Sequence, residues 1–354
     1  MTTLDDFKVT KIKQSKLSSV DYDNLTFGKY FTDHMLVADY ANGEWGSASI
    51  MPYQPITVDP SCAALHYGQA IFEGVKAYRN QKNEVCIFRP YENFKRFNVS
   101  ASRMEMPIVS EEIFMEGMKQ LVKLDEKWVP ERHDFSLYIR PFMFSMDEMI
   151  GVKPGSNYKF MIILSPTGPY YSAPMRIYAE EKYVRAAEGG VGFAKVAGNY
   201  GSSLLATSEA KAKGYDQVLW MDATEHKYVQ ECGTMNIFFI IGDKAITPDL
   251  DHGTILAGVT RDSVIKLIKD MGMDVEERPL SIDEIIEAFK KGMLHEIFGT
   301  GTAATISMIR ELRYRDIVMN FDTDTWKIAP KIKSRLDDIK EGVEDDKFGW
   351  MVKI

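Results

Sequence analysis

Strands dominate the hydrophobic pattern of this chain. Residues 31–40 (FTDHMLVADY) form an apolar-rich run that ends at Asn42-Gly43, a turn pair. Residues 64–79 alternate and are rich in aromatics, which predicts strands broken at Gly68 and Gly74. Further strands are expected at 136–142, 158–164, 175–179 and 217–221, and 229–241 reads as one long apolar run. Helical spacing is fewer and clearer. Residues 88–104 place Phe94, Phe97 and Ala101 on one face, with Pro90 suited to a first turn. Ser110-Glu111-Glu112 opens a helix running to about Trp128. Another spans 203–213 and closes at Gly214; one from the 256–265 region runs to about Met271 and stops at Gly272. Ser281-Ile282-Asp283-Glu284 is a capping box for one more.

Residues 165–174, with three prolines and one glycine between strand-like runs, form the best linker. The expectation is an α+β chain with a small N-terminal domain (1–168), a linker (169–175) and a large C-terminal domain (176–354). A length of 354 residues suits two domains.

Composition narrows the function. With 45% hydrophobic and 27% charged residues the chain is ordinary for a globular protein. Its net charge of -8 argues against nucleic-acid phosphates as partner. The start of the chain lacks the basic and apolar regions of a signal peptide, and no apolar run approaches the ~20 residues that span a bilayer. Cys62, Cys86 and Cys232 are widely spaced, giving neither a disulfide framework nor a metal motif. A cytoplasmic, two-domain soluble protein is expected.

The chemistry centres on 189–201 (GGVGFAKVAGNYG), where Lys195 stands among five glycines and small apolar neighbours. Such surroundings disfavour an ammonium and suit an amine that forms Schiff bases, although a glycine loop with an incidental lysine has the same spacing. Arg89, Arg96 and Arg103 recur every seven residues; a solvated stripe is the usual outcome, and one arginine turned inward at an anion is the alternative. Arg140, inside an apolar strand, needs a partner. Glu231 and Asn236 lie within the 229–241 run, and a buried carboxylate there would need pairing, for which a protonated pyridine nitrogen is suitable. Gly258 and Thr260 stand at a helix mouth that would bind phosphate, or that Thr260 simply caps. Asp33 and His34 point to opposite faces of a strand and do not make a metal site. Residues 296–304 approximate a dinucleotide fingerprint, but 305–309 read as strand where that motif needs a helix. A P-loop is absent. An amine, an embedded carboxylate, an arginine-bearing helix and two glycine/threonine loops together match the needs of a phosphorylated aldehyde cofactor.

In order, the runs 65–67, 72–77 (FEGVKA), 88–90 with Asn93 and Arg96, 195–201 (KVAGNYG), 231–236 (ECGTMN), 258–261 (GVTR) and 298–303 (FGTGTA) resemble the branched-chain amino acid aminotransferases, as does the tail around Trp350. These are fold type IV pyridoxal 5′-phosphate enzymes with the active site between two domains. The resemblance implies Lys195 as the Schiff-base lysine, Tyr200 at the cofactor's phenolic oxygen and Glu231 at the pyridine nitrogen. It implies Arg96, the main chain at Val259 and Thr260, and Thr302 at the phosphate, with Thr234 near cofactor and substrate alike. Tyr67, oriented by Arg140, would join Thr234 and the backbone at Ala303 and Ala304 in receiving the substrate carboxylate. Phe31, Phe72, Tyr138 and Tyr170 would line the side-chain pocket. Tyr67, Ile150 and Val152 would reach a second subunit's site in a homodimer. The implied reaction exchanges the amino group of leucine, isoleucine or valine with 2-oxoglutarate. A D-amino acid aminotransferase or aminodeoxychorismate lyase would share Lys195 and Glu231. One departure stands out: where mammalian members carry a redox-active cysteine pair, this chain has Ala304 and Ser307.

Overall fold

The computed structural model describes residues 7–169 and 173–354. They divide into two compact units. One contains the described residues up to 169 together with 195–197 and 337–354; the other contains 173–194 and 198–336. The expected boundary thus misassigns two pieces. The C-terminal strand Met351–Lys353 pairs antiparallel with Val85–Phe88, and Trp350 lies edge-on to Phe88, so the tail completes the first unit's sheet. Lys195 to Ala197 belong there too, because Val196 bridges to Ile71.

The first unit is built on a ten-stranded sheet. Its strands are β1 (Lys8–Val9), β2 (His34–Ala41), β3 (Glu44–Trp45), β4 (Ser49–Pro52), β5 (Ala70–Phe72), β6 (Val75–Arg79), β7 (Val85–Phe88), β8 (Ser136–Ser145), β9 (Tyr158–Thr167) and the C-terminal strand. The main path runs β1-β4-β2-β9-β8-β6-β7 and ends on that strand. β8 and β9 pair along their whole length, from Ser136↔Thr167 to Ser145↔Tyr158, so Ser165 to Thr167 belong to a strand rather than a linker. Residues 63–67 are a short helix, α1 (Ala63–Tyr67), where a strand is expected. Leu65 is 65% exposed, so the alternation there reports no buried sheet face, and left-handed Gly68 closes the turn. α2 (Pro90–Arg103) forms where a helix is expected, starting two residues later because Phe88 ends β7, and buries Phe97 and Ala101. The next helix is broken into a π-turn at Glu112–Glu116 followed by α3 (Gly117–Leu124). At Gly117 the backbone comes so near β2 that a Cβ would clash with Leu36 Cδ1. His34 and Asp33 have protein partners: His34 Nδ1 lies 2.6 Å from Asp125, and Trp128 Nε1 donates to Asp33 at 2.8 Å.

In the second unit, a nine-stranded sheet comprises β10 (Met175–Ala179), β11 (Gln217–Met221), β12 (Val229–Cys232), β13 (Asn236–Ile241), β14 (Lys244–Thr247), β15 (Asp274–Glu277), β16 (Leu294–Gly301), β17 (Thr305–Tyr314) and β18 (Ile317–Asn320). The single run expected at 229–241 is two strands, turned at Gly233 with φ +58. β16 and β17 form a hairpin, so strand and not helix follows Gly301, as the sequence indicates. The helices are α4 (Ala197–Gly201, beginning in the first unit), α5 (Leu204–Ala212), α6 (Val259–Asp270), α7 (Ile282–Lys290) and α8 (Ile328–Glu341, ending in the first unit). Ser281 caps α7 through the Glu284 N–H. Ile237, Phe239, Ile297, Ile285 and Leu312 are fully buried in one core, each contributing about 1.5–3 kcal/mol by leaving water. Among the described residues no helix is long and apolar enough to cross a membrane.

Candidate functional site

In the first unit, the main chain of Lys195 is held on both sides. Its N–H donates to Ser100 Oγ at 2.8 Å, and its carbonyl accepts the Phe72 N–H at 3.1 Å. The Phe72 ring centre lies 4.9 Å from Nζ. Ser100, on α2, donates in turn to the Arg96 carbonyl one turn earlier, at 3.1 Å. Of the three arginines spaced by seven, Arg96 turns inward. Its Nε and Nη2 donate to the Glu73 carboxylate at 2.7 and 2.9 Å. Arg103 is exposed, and Arg89 lies 5.5 Å from the Trp350 ring centre. Asn93 Nδ2 and the Gly74 N–H complete the shell of Glu73 at 2.8 and 3.0 Å. Burial alone would push the Glu73 carboxyl up; the charge and hydrogen bonds of Arg96, with Lys195 and Asn93, outweigh it and hold it below the usual range.

An aromatic group adjoins this frame. Arg140 Nη2 donates to Tyr138 Oη at 3.0 Å, and its guanidinium lies 4.6 Å from the Phe72 ring centre. Gly74 permits this, since a Cβ there would overlap Tyr138 Oη. Phe31 stacks on Tyr53. Arg140 therefore bonds Tyr138 within this chain. Tyr67, Ile150 and Val152 are 41%, 70% and 88% exposed. Tyr170 lies outside the described residues.

The second unit buries Glu231. Its Oε1 accepts the Leu256 N–H at 2.9 Å and Asn236 Nδ2 at 3.3 Å. Its Oε2 lies 3.0 Å from Arg185 Nε, an ion pair whose N–H is not aimed along the contact. Arg185 also donates to the Thr254 carbonyl. Asn236 Nδ2 reaches the Leu256 carbonyl at 2.9 Å, and its Oδ1 fills the space where a Cβ on Gly258 would sit. Gly258 is thus the N-cap of α6. No side chain caps that helix, and Thr260 is its second residue, buried beside Val259. Plain capping by Thr260 is therefore not what the sequence signal marks. Tyr200, on α4, and Thr302, Ala303 and Ala304, in the β16–β17 turn, are half-buried, while Thr234 is exposed. Asn199 Nδ2 holds the carbonyls of Val191 and Ala194, fixing the loop ahead of Lys195. Among the described residues no three His, Cys, Asp or Glu side chains converge as a metal-ion set.

The family model for class IV amino-transferases matches residues 70–312. A probable branched-chain-amino-acid aminotransferase of Staphylococcus epidermidis is 50% identical, over 97% of this chain and 98% of its own length. The chain belongs to the class IV aminotransferases. Among solved structures, the branched-chain amino acid aminotransferase of Escherichia coli aligns with a TM-score of 0.74 at 28% identity, covering 90% of this chain and 98% of that one. The branched-chain aminotransferase of the archaeon Thermoproteus uzoniensis, solved with norvaline, aligns with a TM-score of 0.74 at 26% identity, covering 90% and 99%. A further solved branched-chain enzyme, complexed with N-(5′-phosphopyridoxyl)-L-glutamate, aligns with a TM-score of 0.72 at 29% identity, covering 89% and 97%.

Arg185 is the residue of this aminotransferase that sequence reasoning missed. In its local run, YVRAAEGG, it looks like any surface arginine. The signal was at the other end: a carboxylate inside an apolar run calls for a cation, and the sequence does not say which one the chain brings to it.

Proposed function

We propose that this aminotransferase exchanges the amino group of L-leucine, L-isoleucine or L-valine reversibly with 2-oxoglutarate, giving the branched 2-oxo acid and L-glutamate, with pyridoxal 5′-phosphate as cofactor. The observation that carries the reading is 50% identity, over 97% of the chain, to a protein named for branched-chain amino acid transamination.

The residues fit that cofactor. α6 offers an N-terminus with no side-chain cap, behind a Gly258 whose Cβ position is already taken, which suits an anion. Arg96 adds a guanidinium, Glu231 a buried carboxylate and Lys195 an amine on an anchored main chain. When bound, pyridoxal 5′-phosphate supplies an aldehyde that condenses with amines and a ring that draws electrons from the adjacent carbon. Arg96, the N–H groups of Val259 and Thr260, and Thr302 would hold the phosphate, and Tyr200 the phenolic oxygen. Glu231 holds a proton on the ring nitrogen. Lys195 Nζ takes the proton from the substrate α-carbon and returns it on the reverse course. Tyr67, Thr234 and the main chain at Ala303 and Ala304 orient the substrate carboxylate; Phe31, Phe72, Tyr138 and Tyr170 exclude water around the branch, with Arg140 holding Tyr138. The exposure of Leu65, Tyr67, Ile150 and Val152 supports burial against a second copy, as a homodimer whose Tyr67, Ile150 and Val152 serve the neighbouring site. We place the enzyme in the cytoplasm.

The test is an absorbance spectrum of purified protein with pyridoxal 5′-phosphate. The visible band should shift on adding L-leucine and return on adding 2-oxoglutarate. A shift with D-amino acids instead, or no shift with any branched L-amino acid, overturns the reading.

A further inference from the structure

Glu73 is fully buried, yet it is not among the groups expected to meet cofactor or substrate. Four hydrogen bonds converge on its carboxylate: two from Arg96, one from Asn93 and one from the Gly74 N–H. Both carboxylate oxygens take part in the fork with Arg96, which fixes the plane of the guanidinium as well as its distance. The neighbours of the pair are the residues that grip Lys195. Phe72, next to Glu73, bonds the Lys195 carbonyl; Ser100, one turn beyond Arg96, receives the Lys195 N–H. A buried ion pair is a weak source of stability compared with apolar packing, so its value here lies in placement.

We propose that Glu73 is a positioning residue, whose carboxylate holds the Arg96 guanidinium in the orientation that binds the phosphate of the cofactor. The inference rests on the pyridoxal-phosphate reading above. Glu73→Gln keeps the shape but presents an amide N–H₂ to a donor on Arg96. The guanidinium then loses one arm of its fork, and phosphate recognition weakens while recognition of the rest of the cofactor does not.

The experiment titrates the full chain, stripped of cofactor, with pyridoxal 5′-phosphate and with pyridoxal, following absorbance. Inorganic phosphate serves as a competitor. In Glu73→Gln the affinity for pyridoxal 5′-phosphate should fall about tenfold or more, and inorganic phosphate should compete less well, while the affinity for pyridoxal changes by less than about threefold. Glu73→Asp, which keeps the charge and shortens the reach, should lie between wild type and Glu73→Gln. A purely structural role predicts equal losses for both ligands, and equal losses overturn the inference; so does unchanged or tighter phosphate binding. Should circular dichroism show that Glu73→Gln does not fold, Glu73→Asp decides alone, and an undiminished preference for the phosphorylated ligand overturns the proposal. A wild-type chain without that preference overturns the functional reading itself, and this inference with it.

Discussion

Arg185 and Glu231 form an ion pair with side chains only 8% and 5% exposed, Nε to Oε2 at 3.0 Å. Removing one member of such a pair leaves a buried charge and costs about 3–5 kcal/mol. Glu231→Gln strands Arg185 and, on the function proposed above, withdraws the counter-charge from the ring nitrogen of the cofactor. Loss of the group proposed to hold the ring-nitrogen proton should separately slow the half-reaction with L-leucine by roughly a hundredfold or more. Arg185→Met should also be severe, and the double variant should cost less than the two single effects added together. Single-turnover kinetics measures all three. A near-normal rate in Glu231→Gln would remove this carboxylate from the mechanism.

Lys195→Ala should abolish transamination and leave the fold intact. The bonds to Ser100 and Phe72 are made by the main chain and survive loss of the side chain. Thermal unfolding of the cofactor-free protein should therefore shift by no more than about 1 kcal/mol in stability, while turnover falls to background. Substantial turnover without added amine would sink the assignment.

How much of this was legible beforehand depends on the range of the interaction. α2 was readable because Pro90, its apolar face and its end are all local, and the inward turn of Arg96 was one of two outcomes its spacing left open. Strand alternation likewise gave β8 to β11. The helix at Ala63–Tyr67 was not legible, since a few residues satisfy a period of two or of 3.6 about equally well. Partner choice was the least legible. Glu231 meets Arg185 from 46 positions away, a choice that no local pattern marks. The C-terminal strand returned to the first unit for the same reason: an edge at β7 was open to pairing, and no local signal marks which distant segment fills it.

His133 gives a pH dependence with a definite sign. Its Nδ1 lies 2.8 Å from the Glu341 carboxylate, and that hydrogen bond, against a smaller opposing effect of burial, raises its pKa above the ordinary 6.5. A raised value means that the folded state binds the proton more tightly. The contribution is full below the unfolded pKa and is lost as pH rises through the folded one. Because the His133 side chain is 69% exposed, the effect should be only a few tenths of a kcal/mol and should shrink with salt. Denaturant unfolding of wild type and His133→Asn should differ most just below pH 6.5 and converge as pH rises through the raised folded value. A difference that grows with pH would contradict the assignment.

The last prediction concerns oxidants. Ala304 and Ser307 place no thiol at or just beyond the β16–β17 turn, so thiol control of activity would have to come from Cys62, Cys86 or Cys232. All three are buried and free. Cys232 follows Glu231 on β12 and is fully enclosed; burial, with the Glu231 charge adding to it, pushes its thiol up to about 12. Burial also raises Cys86, with a further push from Glu84. Cys62 is buried, with its Sγ 3.2 Å from the Ser145 carbonyl. The thiolate is the species that peroxide attacks, and these sites combine poor access with, for Cys86 and Cys232, little thiolate near neutral pH. Mild peroxide followed by a reductant should therefore produce no cycle of lost and restored activity. Activity is measured before treatment, after peroxide and after dithiothreitol, with mass spectrometry to count modified thiols. A loss that dithiothreitol restores, together with modification of Cys232, would mean that β12 opens in solution far enough to admit solvent beside Glu231, and the enclosed setting on which the Arg185 pairing depends would then be wrong.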